Sequence, residues 1–156
     1  MERGSGKVFA NLLQEMADRY LQFRSGEILQ KLLISSFEES ELTVVKEAFP
    51  KMETAFLEKK FQLPLYTVDR KKLDRLKRLG VEAVHLSRRK ATVELVDYLK
   101  YHHGFAVRVY TVNDSDSLFR YFEMGVDGVF TDRAEALTWM GAVGVAKKPA
   151  SQSVSV

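Results

Sequence analysis

Residues 105–131, FAVRVYTVNDSDSLFRYFEMGVDGVFT, decide the fold class of this chain. Residues 105–112 are rich in β-branched and aromatic side chains, which favour a strand. Asp114 or Ser115 is expected to cap a helix over residues 116–124, and residues 126–131 have the composition of a second strand. A strand, a helix and a strand in such a short stretch predict a βαβ unit, in which the two strands run parallel.

Short apolar runs and amphipathic stretches alternate along the rest of the chain in the same way. Further strands are predicted over residues 31–36, 54–58 and 81–86. Further helices are predicted over residues 8–23, 41–49, 71–79, 93–103 and 135–140. Asp69 and Thr92 are expected to cap the helices over 71–79 and 93–103, and Gly80 is expected to end the first of the two. The predicted fold class is therefore α/β, with about five parallel βα units and one preceding helix.

The composition excludes several classes of protein. The 156 residues, 46% hydrophobic and 29% charged, suit one globular domain. We assign this domain to residues 1–140 and expect residues 141–156 to form a disordered tail. The absence of cysteine excludes a thiolate nucleophile and fits a cytoplasmic location. A net charge of +3 is too small to indicate a nucleic-acid partner, and no apolar run reaches the ~18 residues of a membrane span.

In parallel α/β folds the working residues lie at the carboxyl ends of the strands. At these positions His85 is either a proton carrier or phosphate donor, or a packed core side chain. Glu58 and Asp132 are each a candidate ligand or general base, although Asp132 is equally well explained as a helix N-cap.

Three other motifs have simpler interpretations. Residues 4–7, GSGK, lack the preceding strand of a phosphate-binding loop and are interpreted as a flexible N-terminus. His102 and His103 point about 100° apart on a helix, so we expect them to cap carbonyls and not to share a metal ion. The basic residues within 70–78 and 88–90 are either a site for phosphates, an acidic partner or anionic lipid, or simply a solvated face.

The segments VRVYTVND at 107–114 and GVDGVFTDR at 125–133 resemble the end of the glycerophosphodiester phosphodiesterase domain. That family typically reads V-x-VWTVN, a helix, and GVDGIITDRP, and the segment LLISSF at 32–37 resembles its SF strand. The resemblance covers about residues 8–140 and implies a partial TIM barrel, comprising strands four to eight. It also implies the family's activity in lipid metabolism, the hydrolysis of glycerophosphodiesters to glycerol 3-phosphate and an alcohol.

The resemblance further implies a substrate pocket. Ser36 and Phe37 would flank the mouth at the fourth strand, and Tyr110, which stands where the family usually has Trp, would face the glycerol or the alcohol. With Glu58 and His85 added from the strand-end candidates, the predicted pocket comprises Ser36, Phe37, Glu58, His85 and Tyr110.

The reactive motifs of the family are missing from this sequence. They are an HRG strand, an E-x-D strand that supplies metal ligands, an H-D segment with a second His, and an E-x-K strand. The first three do not occur here, and the only E-x-K triplet, residues 58–60, begins where the strand predicted over residues 54–58 ends. We therefore predict no catalytic residue and no metal ligand in this chain, with the family's divalent cation, Mg or Ca, bound by the missing half. Little or no hydrolysis is expected from the chain alone.

Several possibilities follow for an incomplete barrel. The open sheet would flatten, pair with a second copy as a homodimer, or bind an N-terminal half-barrel partner, because its edge strands and inner face are otherwise uncovered. The alternative function is a non-catalytic module of half-barrel form that binds a phosphate-bearing ligand or a partner. A flavodoxin-like receiver is disfavoured, since the paired acidic residues expected after the first strand and the Lys expected after the fifth are absent.

Overall fold

The computed structural model describes residues 4–19, 31–59, 69–133 and 135. The helices are α1 (Ser5–Arg19), α2 (Glu39–Ala48), α3 (Arg70–Leu79), α4 (Val93–Asp97), which continues into a π-helical segment (Tyr98–His102), and α5 (Ser115–Glu123). The strands are β1 (Leu33–Ser36), β2 (Glu53–Glu58), β3 (Ala83–Ser87), β4 (Ala106–Tyr110) and β5 (Gly128–Val129). None of the helices in these ranges is long and apolar enough to cross a membrane.

The five strands form one sheet in the order β1-β2-β3-β4-β5. All four pairs of neighbouring strands are parallel. Each of the first four strands is therefore followed by a crossover that returns the chain to the same end of the sheet. The predicted α/β fold, a partial TIM barrel of parallel βα units, is confirmed.

The helix starts follow from the capping residues expected at these positions. The side chains of Asp69, Thr92 and Asp114 accept hydrogen bonds from amides of the first helical turns of α3, α4 and α5, at 3.0, 3.3 and 2.8 Å. These bonds satisfy amides that have no partner within the helix. Gly80, with φ +83°, ends α3 in the left-handed conformation that glycine adopts without strain.

Two predicted elements differ in the structure. The helix predicted over residues 93–103 changes at Tyr98 to a wider π-helical turn, after which the Phe105 amide donates to the Leu99 carbonyl at 3.0 Å. The strand predicted over residues 126–131 is regular only at Gly128–Val129. Its pairing with β4 continues beyond that strand, since the Phe130 amide donates to the Val109 carbonyl at 2.8 Å.

The expectation of a flexible start at residues 4–7 is wrong. The helix α1 begins at Ser5, and the Glu41 carboxylate on α2 accepts hydrogen bonds from the amides of Gly4 and Gly6, both at 2.6 Å. These two bonds hold the pKa of Glu41 below its usual value. Residues 20–23 of the predicted first helix, most of the predicted helix 135–140 and the predicted tail 141–156 lie outside the described residues.

The helices cover one face of the sheet. The core on that side contains buried strand residues and buried helix residues, among them Phe56, Val84, Leu86, Val107, Val109, Leu73, Leu76, Leu95 and Leu99. Because side chains alternate along a strand, the other positions of the same strands face the opposite side. We call that side the inner face; it includes Ala55, Leu57, Ala83, His85, Ser87, Ala106, Arg108, Tyr110 and Gly128.

Polar contacts tie the amino ends of the strands together. The buried Lys46 ammonium on α2 binds the Met52 carbonyl at 2.8 Å and the carboxylate of Glu82, which precedes β3. The other oxygen of that carboxylate accepts from the Thr54 amide at 2.8 Å. The Asp127 carboxylate accepts from the Val107 amide at 2.7 Å, which connects the segment before β5 to β4.

Candidate functional site

The predicted pocket residues divide between the two faces of the sheet. Ser36 is in register with Phe56 of the helix-covered core, and Glu58 is two residues beyond Phe56 on the same side. His85 and Tyr110 lie on the inner face instead. The structure therefore brings His85 and Tyr110 together on one side and places Ser36 and Glu58 on the other.

Glu58 and Phe37 lie at strand ends and contact lysines. The Glu58 side chain, only 2% exposed, forms a 2.8 Å ion pair with Lys72 of α3. Phe37 follows β1, and the Lys59 ammonium is 3.8 Å from its ring centroid. The Ser36 hydroxyl accepts from the Glu38 amide at 3.1 Å. Each of these side chains has a structural contact, and their role toward a ligand stays a prediction.

His85 is buried in the inner face with no exposed surface. Neither of its ring nitrogens has a hydrogen-bond partner. Burial, and to a smaller extent the positive charge of Arg108, lowers the pKa of His85 to about 4. The imidazole is therefore neutral at pH 7, with one nitrogen that donates and one that accepts.

Arg108 is a site residue that the sequence analysis missed. It is directly in register with His85, and its Nη2 donates to Glu53 Oε1 at 2.6 Å, while its Nη1 is buried without a partner. Its aliphatic stem lies beside Gly128, where a Cβ atom would be 3.5 Å from Cγ and Cδ. The signal that could have identified it is a charged residue in the middle of the most strand-like segment, FAVRVYTV.

Tyr110 and Phe130 add aromatic surface to the same region. The Tyr110 hydroxyl is buried without a partner, and burial, followed by the charge of Glu58, raises the pKa of this phenol. Phe130 places its ring centroid 4.7 Å from that of His85 while its side chain stays 40% exposed. The inner face thus presents neutral and cationic hydrogen-bonding groups beside an accessible aromatic ring.

The loops that follow β4 and β5 are joined by side chains. Asn113 Oδ1 accepts from the Asp132 amide at 2.9 Å and from the Thr131 hydroxyl at 3.1 Å, and Asn113 Nδ2 donates to Asp132 Oδ2 at 3.1 Å. The Asp132 carboxylate thus contacts Asn113 across the two loops. These contacts explain why an Asn after one strand and Thr-Asp after the next occur together in this sequence.

The remaining charged motifs also have structural contacts. The imidazoles of His102 and His103 both pack against Tyr98, with ring centroids at 5.6 and 4.8 Å, and the expectation that they cap carbonyls stays a prediction. On the basic helix α3, Arg75 pairs with Glu39 at 3.1 Å. The basic helix α3 is therefore more than a solvated face, because its side chains form ion pairs with α2 and with the end of β2.

The described residues do not fit a divalent cation. No three His, Asp or Glu side chains come together within 4–19, 31–59 and 69–133. The two strand carboxylates, Glu53 and Glu58, are paired with Arg108 and Lys72. A hard cation needs carboxylate and carbonyl oxygens that converge, so we derive no chemical step through a metal from these residues.

A parallel βα array in sequential strand order, with its helices on one face of the sheet, has the architecture of part of a TIM barrel. The model of the Glycerophosphoryl diester phosphodiesterase family matches residues 7–136, and the chain belongs to this family. No curated protein matches the sequence.

Solved structures of this family have the same fold. A glycerophosphodiester phosphodiesterase from Parabacteroides distasonis is 19% identical with a TM-score of 0.63, and the match covers 92% of this chain and 54% of that one. A Thermotoga maritima enzyme of the same name is 20% identical with a TM-score of 0.56, covering 84% and 52%. An Oleispira antarctica phosphodiesterase, in complex with the product sn-glycerol-3-phosphate, is 23% identical with a TM-score of 0.56, covering 73% and 47%. The chain thus spans about half the length of these relatives.

Proposed function

We propose that this chain forms the substrate-binding side of a glycerophosphodiester phosphodiesterase site, corresponding to strands four to eight of the family barrel. Membership of the family supports the substrate class. The Oleispira relative is described in complex with sn-glycerol-3-phosphate, the product expected of that class. The reaction would belong to lipid metabolism, and a cytoplasmic location remains a prediction from the lack of cysteine.

The inner face suits binding better than bond cleavage. Phosphodiester hydrolysis needs an activated nucleophile, charge stabilisation at the phosphoryl oxygens and a proton for the leaving oxygen. The observation that carries the proposal is that Glu53 and Glu58 each pair with a cationic side chain, so neither is free to act as a base. His85, with a pKa of about 4, is a weak base at pH 7.

The proposal therefore assigns orientation of the substrate to this chain and bond cleavage to residues outside it. The divalent cation, Mg or Ca, and the nucleophile-activating groups would come from the half of the family barrel that this chain does not span. On its own the chain would bind product-like ligands and hydrolyse little or nothing.

Two measurements on the same preparation test this function. With glycerophosphocholine and Mg or Ca, we expect no release of glycerol 3-phosphate above the protein-free rate. With glycerol 3-phosphate, we expect saturable shifts in the backbone amide NMR spectrum. Turnover that is abolished by a chelator and by Tyr110→Ala would contradict the assignment of cleavage to residues outside the chain.

A second function, a non-catalytic assembly module, has one observation in its favour. Within the described part of the chain, β1 and β5 each pair with a single neighbouring strand. Such edges are templates for pairing with another chain. Analytical ultracentrifugation distinguishes the two functions, because a stable dimer favours assembly and a monomer that binds glycerol 3-phosphate favours the substrate-binding function.

A further inference from the structure

The positive charge of the chain is concentrated on helix α3. The ten residues Arg70–Leu79 include six basic side chains and one acidic side chain, Asp74, so their net charge is +5. The whole chain carries +3, and the residues outside α3 therefore sum to −2. The positive surplus of the protein belongs to this one helix.

Half of these basic side chains have contacts within the fold. Lys72 and Arg75 form ion pairs with carboxylates of neighbouring elements, and Lys77 Nζ donates to the Gly104 carbonyl at 3.1 Å. The other three side chains are exposed and form no ion pair with any residue that the structure describes. They are Arg70, Lys71 and Arg78.

Helix geometry places these three cations on the outward face of α3. Successive residues advance by 100° around the helix axis, so Lys71 and Arg78 are only about 20° apart and Arg70 lies within about 100° of both. The buried Leu73 and Leu76 lie on the opposite side, where they pack into the core. At a rise of 1.5 Å per residue, the charged face is roughly 12 Å long.

The stability of the helix does not explain the positions of Arg70 and Lys71. Both lie in the first turn of α3, which contains no acidic side chain. The amino end of a helix carries partial positive charge, so cations are unfavourable there. Arg75, four residues after Lys71, adds a like charge at the spacing where side chains face each other. An anionic surface outside the chain would offset this repulsion.

The shape of the charged face fits a planar lipid surface better than a peptide or a nucleic acid. It is the convex outer side of a helix, whereas peptides are bound in grooves or at sheet edges. Three cations are few for a nucleic acid, since DNA-binding proteins often contact about 6–10 phosphates. An anionic bilayer needs no pocket, and it attracts each Lys or Arg that reaches its surface.

An exposed aromatic side chain lies on the neighbouring element. Tyr101, in the π-helical segment after α4, is 75% exposed. The hydrogen bond between Lys77 and Gly104 holds the chain just after that segment against α3. Tyrosine is enriched at membrane interfaces, because its ring is apolar and its hydroxyl stays in water. Tyr101 thus adds a second kind of group that suits a lipid surface.

We propose that the outward face of α3, formed by Arg70, Lys71 and Arg78, docks the protein on an anionic lipid surface. Binding is peripheral and electrostatic. It leaves the inner face free, because the helices lie on the other side of the sheet. The inference does not rest on the proposed function. An acidic peptide and free phosphate are the competing occupants that the experiment distinguishes.

Co-sedimentation of the full chain with vesicles tests this docking face. Vesicles of equimolar phosphatidylcholine and phosphatidylglycerol should bind the protein, and vesicles of phosphatidylcholine alone should not. The bound fraction should fall as salt is added, because the Debye length shortens from about 10 Å at 0.1 M to about 3 Å at 1 M. The triple variant Arg70→Gln/Lys71→Gln/Arg78→Gln should bind roughly 100-fold more weakly, at about 5-fold for each cation near an anionic surface.

The matched control removes three exposed cations from other parts of the surface. Lys7→Gln/Lys51→Gln/Arg120→Gln lowers the net charge from +3 to 0, as the α3 variant does, but these residues lie on α1, after α2 and on α5. Its affinity should stay within about 3-fold of the wild type, because charges farther than a Debye length from the lipid are screened. Circular dichroism reports whether both variants are folded.

A second measurement uses only the wild type. Lysine acetylation followed by mass spectrometry should slow at Lys71 when the anionic vesicles are present, and it should be unchanged at Lys7 and Lys51. This footprint decides the matter if the α3 variant does not fold.

The contrary outcomes are equally definite. If the wild type does not bind the anionic vesicles, or if both variants lose affinity equally, α3 is not a docking face, and the proposed function is unaffected. If poly-glutamate binds the wild type as tightly as the vesicles do, the face takes an acidic peptide and the lipid assignment is wrong. If inorganic phosphate releases the protein from the vesicles at an ionic strength matched with sodium chloride, the face is a phosphate site, and the lipid assignment is again wrong.

Discussion

Acidification should destabilise the chain through His85 before it affects the carboxylates. In the folded state burial lowers the pKa of His85 to about 4, whereas the unfolded chain takes up this proton near pH 6.5. Protonation therefore favours the unfolded state. The stabilisation is fully present above pH 6.5 and is lost progressively as the pH falls from 6.5 toward 4.

The size of this destabilisation follows from the difference between the pKa of His85 in the folded and in the unfolded chain. A shift of this size corresponds to roughly 3 kcal/mol in the free energy of unfolding, at 1.36 kcal/mol for each pKa unit. Since only part of the change in His85 protonation lies above pH 5, the free energy of unfolding falls by ~2 kcal/mol between neutral pH and pH 5. Glu41 and Asp114, whose pKa values are lowered by backbone amides, lose their contributions only at lower pH.

Urea unfolding followed by circular dichroism at a series of pH values down to 5 measures this loss. His85→Gln should flatten the dependence of the unfolding free energy on pH. His103→Gln is the control, because burial also lowers the pKa of His103 but the ring is only partly buried, so most of the dependence should remain. A wild-type chain that keeps its full stability at pH 5, or a His85 pKa measured by NMR near 6.5, would refute the reasoning.

Three further substitutions test contacts that hold the fold. Asp127→Ala removes the acceptor of a β4 amide at 2.7 Å and should lower the free energy of unfolding by about 1–3 kcal/mol in urea titrations. Gly6→Ala would place a Cβ 2.7 Å from Glu41 Oε2 and 2.9 Å from the Glu41 carbonyl, so the melting temperature of the protein should fall. Gly128→Ala is the control: its Cβ would be 3.5 Å from the nearest side-chain atom, so this variant should melt close to the wild type. Lys46→Ala leaves a carbonyl and a carboxylate without their buried ammonium and should cost about 2–4 kcal/mol of unfolding free energy; an unchanged urea midpoint would contradict that role.

The sequence was sufficient to predict the architecture because the local signals agree with one another. Asp69, Thr92 and Asp114 cap helices where predicted, and Gly80 ends one, so most helix boundaries were within a few residues. The β-branched strands between them leave a parallel sheet as the consistent solution. The π-helical turn at Tyr98 was missed, because the sequence pattern of residues 93–103 is that of an ordinary amphipathic helix.

The site was harder to predict, because its pairs are distant in the sequence. Arg108 and Glu53 are 55 residues apart, and only the strand register shows that they meet. His85 was selected because it lies near a strand end, and Tyr110 because of the family resemblance. Neither reason reveals that the same face of the sheet contains Arg108. The faces of Ser36 and Glu58 could not be assigned either, because a shift of one residue in register reverses the face of every side chain.

The contacts of Asn113, Thr131 and Asp132 have a consequence for how such chains are recognised. Asn113, Thr131 and Asp132 belong to the segments that resemble the family, and in this structure their side chains connect two loops. A genome survey that assigns hydrolase activity from these residues alone would rest on loop contacts and not on reactive groups. An assignment of activity requires the sequence of the strands on the other side of the barrel, where the reactive groups of the family are expected.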